Sequence, residues 1–115
     1  MLNAHALHAA GGRVTHHLGS IEQSIDESFA RTASFLAYLP EARAAANLPM
    51  SIGHKALMRV LASLNAIAQA REEMVAAHVE FAETRSDLRL PETDLGGLVP
   101  CPTSGSIRAV AGAVV

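Results

Sequence analysis

The sequence contains little cysteine and few aromatic residues, and each shortage narrows the class of protein. Cys101 is the only cysteine, which excludes an intrachain disulfide framework. Tryptophan is absent and aromatic residues make up only 3% of the chain, whereas 50% of the residues are hydrophobic. Alanine and leucine are prominent among them, and both are strong helix formers. The composition therefore favours helix over sheet.

Clusters of positive charge are also missing. Lys55 is the only lysine, the nine basic residues are scattered along the chain, and the net formal charge is −2. Because neutralising the phosphates of a nucleic acid requires clustered Lys and Arg, we expect no nucleic-acid partner.

The sequence has no long hydrophobic run and no basic N-terminal region. A membrane-spanning helix needs roughly 18–20 apolar residues, and no uninterrupted apolar run approaches that length. The first basic residue is Arg13, so the basic start of a secretory signal is missing. We expect a cytoplasmic protein without a transmembrane segment. At 115 residues the chain fits one domain with a modest core, so a second copy is a natural source of further buried surface.

A first amphipathic segment covers residues 14–39. Apolar residues recur there at alternating steps of four and three, which keeps them on one stripe of a helix. Two stripe positions, Ser28 and Thr32, are small and polar, which would let a facing helix approach closely. Alternatively, Phe29 and Leu36 rotate into the stripe and widen it. The stripe comprises Val14, Leu18, Ile21, Ile25, Ser28, Thr32, Phe35 and Leu39.

Local signals set the expected ends of this first helix. Gly11 and Gly12 weaken its start, and the capping-box pattern at residues 20–23 offers a later one. Pro40 predicts a stop or kink, because proline lacks the amide donor and disfavours helical geometry in the residue before it. A short helical turn over residues 41–46 would follow, closed by Asn47, Leu48 and Pro49.

A second amphipathic segment is predicted from Ser51, a preferred N-cap residue, to about Leu88. Arg71 interrupts the centre of its broad apolar stripe. The guanidinium of Arg71 either extends to solvent or pairs with an acidic residue of the first helix, for which Glu22, Asp26 and Glu27 are candidates. The stripe comprises Leu57, Val60, Leu61, Leu64, Ile67, Ala68, Met74, Val75, His78, Phe81 and Ala82.

These segments predict an all-α protein: an antiparallel hairpin of two long helices over residues 1–90, with its corner at about residues 40–50. Pro and Gly punctuate residues 91–115, which predicts an extended C-terminal arm. A two-helix hairpin leaves such a broad stripe partly wet, so we expect a second hairpin to complete a four-helix bundle. The predicted interface residues are Ile21, Ile25, Phe35, Leu39, Leu57, Val60, Leu64, Ile67, Arg71, Val75 and Phe81.

Six histidines are the one compositional oddity. With the corner at residues 40–50, His16 and His17 would lie opposite Met74 and Glu73, and His78 would fall close to Arg13. Imidazoles and carboxylates on facing helices can bind zinc or iron. However, the sequence has no Glu-x-x-His and no His-Glu-x-x-His pattern. We predict no metal site; the residues that would form one are His16, His17, His78 and Glu73.

No motif indicates catalysis or a bound cofactor. Adjacent carboxylates at Glu72 and Glu73 point about 100 degrees apart on a helix, and nothing around Cys101 activates its thiol. We therefore predict a non-enzymatic structural or interaction protein, a self-associating hairpin that acts as an assembly or adaptor subunit. The alternatives are a metal-binding helical protein and a protein that coats apolar or lipid surfaces.

Overall fold

The structure is a computed structural model that describes residues 3–89. They form two helices, α1 (Ala4–Ala45) and α2 (His54–Asp87), joined in a helical hairpin, and contain no strand. The predicted all-α hairpin of two long helices is confirmed. Within residues 3–89, neither helix holds a stretch long and apolar enough to cross a bilayer. The predicted arm at residues 91–115 lies outside the described residues.

The hairpin divides into two compact units, each built from one segment of each helix. Unit 1 combines residues 3–22 with residues 73–89, and unit 2 consists of residues 23–72, which include the corner.

The start of α1 is fixed by a side chain. Asn3 acts as the N-cap, because its Oδ1 accepts a hydrogen bond of 3.0 Å from the amide of Ala6. The helix then passes through Gly11 and Gly12 without a break. The alternative start at residues 20–23 is therefore wrong. Gly11 is buried within α1.

The predicted stop at Pro40 is also wrong, because α1 continues to Ala45 with Pro40 inside it. Proline has no amide hydrogen, so the carbonyl of Leu36 loses its usual helical donor, at a cost of about 3 kcal/mol. The helix continues because its buried side continues: Leu36, Leu39 and Arg43 are half-buried and follow each other at steps of three and four. Tertiary packing thus overrides the local signal.

Replacing this proline should stabilise the fold. We expect Pro40→Ala to raise the free energy of unfolding by about 1–3 kcal/mol, because the missing amide is restored within a helix. Denaturant unfolding followed by circular dichroism measures this change. Pro49→Ala is the matched control, because Pro49 lies outside both helices. Its replacement should lower the free energy of unfolding slightly, because the unfolded chain gains conformational entropy. A less stable Pro40→Ala variant would contradict the expectation.

Backbone and side-chain hydrogen bonds close α1 tightly. Asn47 adopts the left-handed conformation with φ 55°, and its amide donates to Ala44 O at 3.1 Å. The amide of Leu48 donates to Arg43 O at 3.2 Å, which completes a Schellman motif. Arg43 Nη1 donates to Leu48 O at 2.8 Å. The predicted closure by Asn47, Leu48 and Pro49 is confirmed.

The second helix begins later than predicted. Ser51 lies in a turn rather than at the N-cap, and α2 starts at His54 after Gly53, which has φ 77°. The carbonyl of Gly53 accepts from the amide of Leu57 at 3.0 Å. A positive φ at this position suits glycine because it has no Cβ. The corner therefore covers residues 46–53, whereas the sequence predicted residues 40–50. The other end of α2, at Asp87, is within one residue of the prediction.

Candidate functional site: the helix seam and the apolar flank

The seam between the two helices of unit 2 is rich in leucine. We call seam residues those that α1 and α2 turn toward each other. In unit 2, all of the seam leucines are half-buried and none is fully buried. The seam leucines of this unit are Leu36 and Leu39 of α1 and Leu57, Leu61 and Leu64 of α2. In the whole described range, Leu18, at 5% exposure, is the only buried apolar side chain.

The seam follows one of the two alternatives that the sequence left open. Leu36 is half-buried and Phe29 is 37% exposed, whereas Phe35, its predicted counterpart in the stripe, is 51% exposed. Leu36 thus turns toward α2, and Phe35 turns to the side. Phe29 falls in the same row of α1 as Leu36 and Glu22, because it is spaced by seven residues from each. Thr32 stays in the seam as predicted from its spacing.

Arg71 of unit 2 combines the two roles that the sequence analysis set apart. Its Nε donates to Asp26 Oδ1 at 2.7 Å, and the side chains of the two residues are 58% and 62% exposed. Asp26 was among the three predicted partners. Because both groups are hydrated, the pair contributes at most about 1 kcal/mol to stability. Its clearer effect is directional, since the guanidinium is drawn away from the seam.

The seam of unit 1 contains a buried polar pair. His78 Nδ1 lies 3.0 Å from Glu22 Oε1, and the two side chains are 2% and 34% exposed. A carboxylate only accepts hydrogen bonds, so Nδ1 acts as the donor in this contact. The predicted position of His78, close to Arg13, is wrong. The corner forms later in the chain than predicted, so His78 meets α1 nine residues farther along, at Glu22.

The candidate metal ligands do not form a metal-binding cluster within residues 3–89. Residues 3–89 contain no group of three or more His, Cys, Asp or Glu side chains arranged to hold a metal ion. His16 and His17 are exposed neighbours with ring centroids 6.1 Å apart, and His78 is held by Glu22. Glu73 is exposed and has polar contacts of its own.

A metal titration tests the metal-binding alternative directly. We expect one equivalent of zinc to leave the melting temperature of chelator-treated protein unchanged. A metal that bound the folded chain would raise the melting temperature by mass action. Differential scanning calorimetry provides the readout, and His16→Ala with His17→Ala provides the control. A rise that disappears in this control variant would support the metal-binding alternative instead.

On one side of the seam, both helices carry uncharged residues, and all of them except Ser28 are apolar. In a heptad pattern, each helix has two further rows of residues, one on either side of the seam. When the two helices are antiparallel, the equivalent rows of both helices lie on the same side of the seam. We name the apolar side of each unit its apolar flank. In unit 2 the apolar flank consists of Ser28, Phe35 and Ala42 of α1 with Val60 and Ile67 of α2; in unit 1 it consists of Val14 and Ile21 with Met74 and Phe81. None of these residues is charged.

The other side of each seam, the opposite flank, mixes small and polar residues with the exposed apolar side chains of Met58 and Val79. In unit 2 it contains Asp26, Ala33 and Pro40 with Met58, Asn65 and Glu72, and in unit 1 Gly12 and Gly19 with Val79 and Ser86. The opposite flank of unit 2 also receives the guanidinium of Arg71. In unit 2 the charged residues of the two flanks, Asp26 and Glu72, both lie on the opposite flank, whereas in unit 1 none of the residues named on either flank is charged.

The predicted interface residues divide among these surfaces. Five of them, Ile21, Phe35, Val60, Ile67 and Phe81, lie on apolar flanks, and five, Ile25, Leu39, Leu57, Leu64 and Val75, lie in the seams. Arg71 turns to the opposite flank of unit 2. The sequence analysis missed the seam role of Glu22 and the separation of the two flanks. The signal was present, because Glu22 is spaced by seven residues from both Thr15 and Phe29, which also lie in the seam.

A small cavity lies beside the corner of unit 2. Its volume is about 160 Å³, and its lining includes Leu39, Pro40, Met50, Ile52 and Leu57. Ligand pockets usually enclose about 300–1,000 Å³. This cavity is therefore too small for a cofactor or a drug-sized substrate.

Comparisons with known proteins give no relative from which a function could be transferred: no protein-family model, curated protein or solved structure matches the chain.

Proposed function

We propose that the chain is a non-enzymatic structural protein whose apolar flanks are covered by a second copy, so that two hairpins complete a four-helix bundle. Such a bundle would serve as an assembly or adaptor subunit. The observation that carries the proposal is the apolar flank: both helices contribute to it, and none of its residues is charged.

The small core of the single chain supports the need for a partner. Among residues 3–89, only Leu18 is a buried apolar residue, and the seam leucines of unit 2 keep contact with water. Full burial of one Leu, Ile or Phe side chain contributes about 1.5–3 kcal/mol. A hairpin alone leaves much of this contribution unused, whereas a second hairpin would cover the flanks and seal the seams together.

The exposure of large side chains also supports the apolar flanks as the surface that a second copy covers. On the apolar flanks, Phe35 is 51% and Ile21 is 45% exposed, and Tyr38, one helical turn from Phe35, is 58% exposed. Aromatic side chains bury large areas at low conformational cost and often dominate protein interfaces. Phe35 and Tyr38 are therefore the expected anchors of the interface in unit 2.

A pair of charge substitutions in unit 2 tests the proposal. Phe35→Asp places a carboxylate on the apolar flank, and Met58→Asp places the same group on the opposite flank at a site of similar exposure, 48%. Burying an unpaired charge costs several kcal/mol, so we expect Phe35→Asp to raise the dissociation constant by about 100-fold or more. Light scattering across a wide concentration range should then find a monomer for Phe35→Asp and an unchanged oligomer for Met58→Asp.

Two outcomes would overturn the proposal. A natural chain that stays monomeric at every concentration would remove self-association. If that monomer also sedimented with lipid vesicles and Phe35→Asp abolished the sedimentation, the apolar flank would instead coat lipid. Circular dichroism of both variants must show natural helicity, so that lost association is separated from lost folding.

A further inference from the structure

The sequence and the structure disagree about the corner in a consistent way. Pro40 and Ser51 are strong local signals for a helix stop and a helix start. The structure uses neither signal, since α1 runs through Pro40 and α2 begins only at His54. Both unused signals describe the same alternative corner, which spans residues 40–51.

The seam contacts define the observed register. In an antiparallel pair the numbers of facing residues have a nearly constant sum, which is 97 for Asp26 with Arg71 and 100 for Glu22 with His78. The observed corner, residues 46–53, has its midpoint at 49.5, half of 99. The alternative corner at residues 40–51 has its midpoint at 45.5, half of 91. The two corners therefore differ by eight in the sum that defines the register, which is within one residue of a heptad.

A shift of one heptad preserves the chemistry of the seam. In unit 2 the observed register places Leu36 level with Leu64, whereas the shifted register places Leu36 level with Leu57. Phe29, now level with Arg71, would meet Leu64. One row of α2 makes this possible because it repeats similar residues every seven positions: Leu57 and Leu64, then Arg71, His78 and Arg85. Leu57 would replace Leu64 at the level of Leu36, Leu64 would replace Arg71 at the level of Phe29, and Arg71 would replace His78 at the level of Glu22.

We propose that the hairpin populates a second register, one heptad from the observed one, in which α1 ends before Pro40 and α2 begins after Ser51. A whole heptad keeps the same rows in the seam, so the flanks keep their composition. The two helices slide past each other by about 10 Å, because each helical residue rises about 1.5 Å. A partner that contacts both helices would select one of the two registers. This inference does not depend on self-association.

Distances between spin labels on exposed sites of unit 2 test the proposal. Ala37 and Ala70 are both exposed, so Ala37→Cys with Ala70→Cys, in a Cys101→Ser chain, leaves the seam intact. In the observed register, Ala70 lies about seven residues along α2 from the residue that faces Ala37. In the shifted register, this separation grows to about fourteen residues. Pulsed electron resonance should therefore resolve two distances, the longer one from the shifted register. Dilution with unlabelled protein restricts the measurement to pairs within one chain.

Two companion variants make the result decisive. Labels on Ala62 and Ala70, both on α2, should give one distance in either register. Adding Pro40→Ala to the Ala37 and Ala70 pair should reduce the longer-distance population by up to about 100-fold, because the observed helix no longer contains proline. A single distance in the Ala37 and Ala70 pair would overturn the proposal. Two distances that persist unchanged with Pro40→Ala would also overturn it, since the corner would then not set the register.

Discussion

Leu64→Asp is expected to abolish helical structure and self-association together. Leu64 is a half-buried seam residue of unit 2, in the row that also contains Leu57. Truncating a buried leucine costs about 2–5 kcal/mol, and a carboxylate in an apolar seam adds a desolvation penalty. Small proteins are stable by only about 5–15 kcal/mol, and this seam has little reserve because none of its leucines is fully buried. Circular dichroism and light scattering give the two readouts.

Asn65→Asp is the matched control for this expectation. Asn65 is the next residue of α2, is exposed, and lies on the opposite flank, so the same carboxylate enters at the same level of the helix. Exposed substitutions of this kind usually change stability by less than about 0.5 kcal/mol. Natural helicity and mass are expected. A Leu64→Asp protein that stayed a helical oligomer would show that the seam of unit 2 is not the core of the fold.

The two long helices could be predicted because their evidence is spread over many residues. Alternating steps of three and four recur along both segments, and no single residue decides the pattern. The close of α1 at Asn47 could also be predicted, because few residues other than glycine adopt the left-handed conformation that the structure shows there. The fold class could therefore be predicted from the periodicity of the apolar residues and from the residue types at the end of α1.

The register could not be predicted, because it depends on where the corner forms. Pro40 and Ser51 are local signals, and the structure follows neither. By continuing past Pro40, α1 adds the half-buried residues Ala42 and Arg43, and Arg43 donates a hydrogen bond to Leu48 O in the corner. A shift of a few residues at the corner moves every cross-helix pair. The error at Pro40 therefore displaced His78 from its true neighbour, Glu22.

The apolar flank was predicted in part. Ile21, Phe35 and Phe81 were predicted as interface residues, together with residues of the seam such as Leu39 and Leu64. In the structure they lie on the apolar flanks, because Glu22 and Phe29 occupy neighbouring seam positions on α1. A helix stripe two rows wide serves two neighbours, and the sequence alone does not say which row faces which neighbour.

His78→Ala is expected to lower the free energy of unfolding by about 2–4 kcal/mol, the second largest effect among these predictions. The imidazole is 2% exposed, so its loss leaves a cavity as well as an unpaired Glu22 carboxylate. Water can reach that carboxylate, which is 34% exposed, and this limits the penalty. His17→Ala removes an exposed histidine of the same helix hairpin and should change stability by less than about 0.5 kcal/mol. Equal losses in the two variants would show that the buried pair contributes nothing specific.

A leucine pair separates the two roles that Glu22 and His78 can have. Replacing a buried polar pair by apolar residues is often neutral or stabilising by about 1–4 kcal/mol, so Glu22→Leu with His78→Leu should melt no lower than the natural chain. A single buried polar position can nevertheless fix the register of paired helices. We therefore expect the leucine pair to broaden the spin-label distances between α1 and α2 while helicity is kept. A lower melting temperature with unchanged distances would mean that the pair acts on stability alone, and that the packing of the leucine seam sets the alignment.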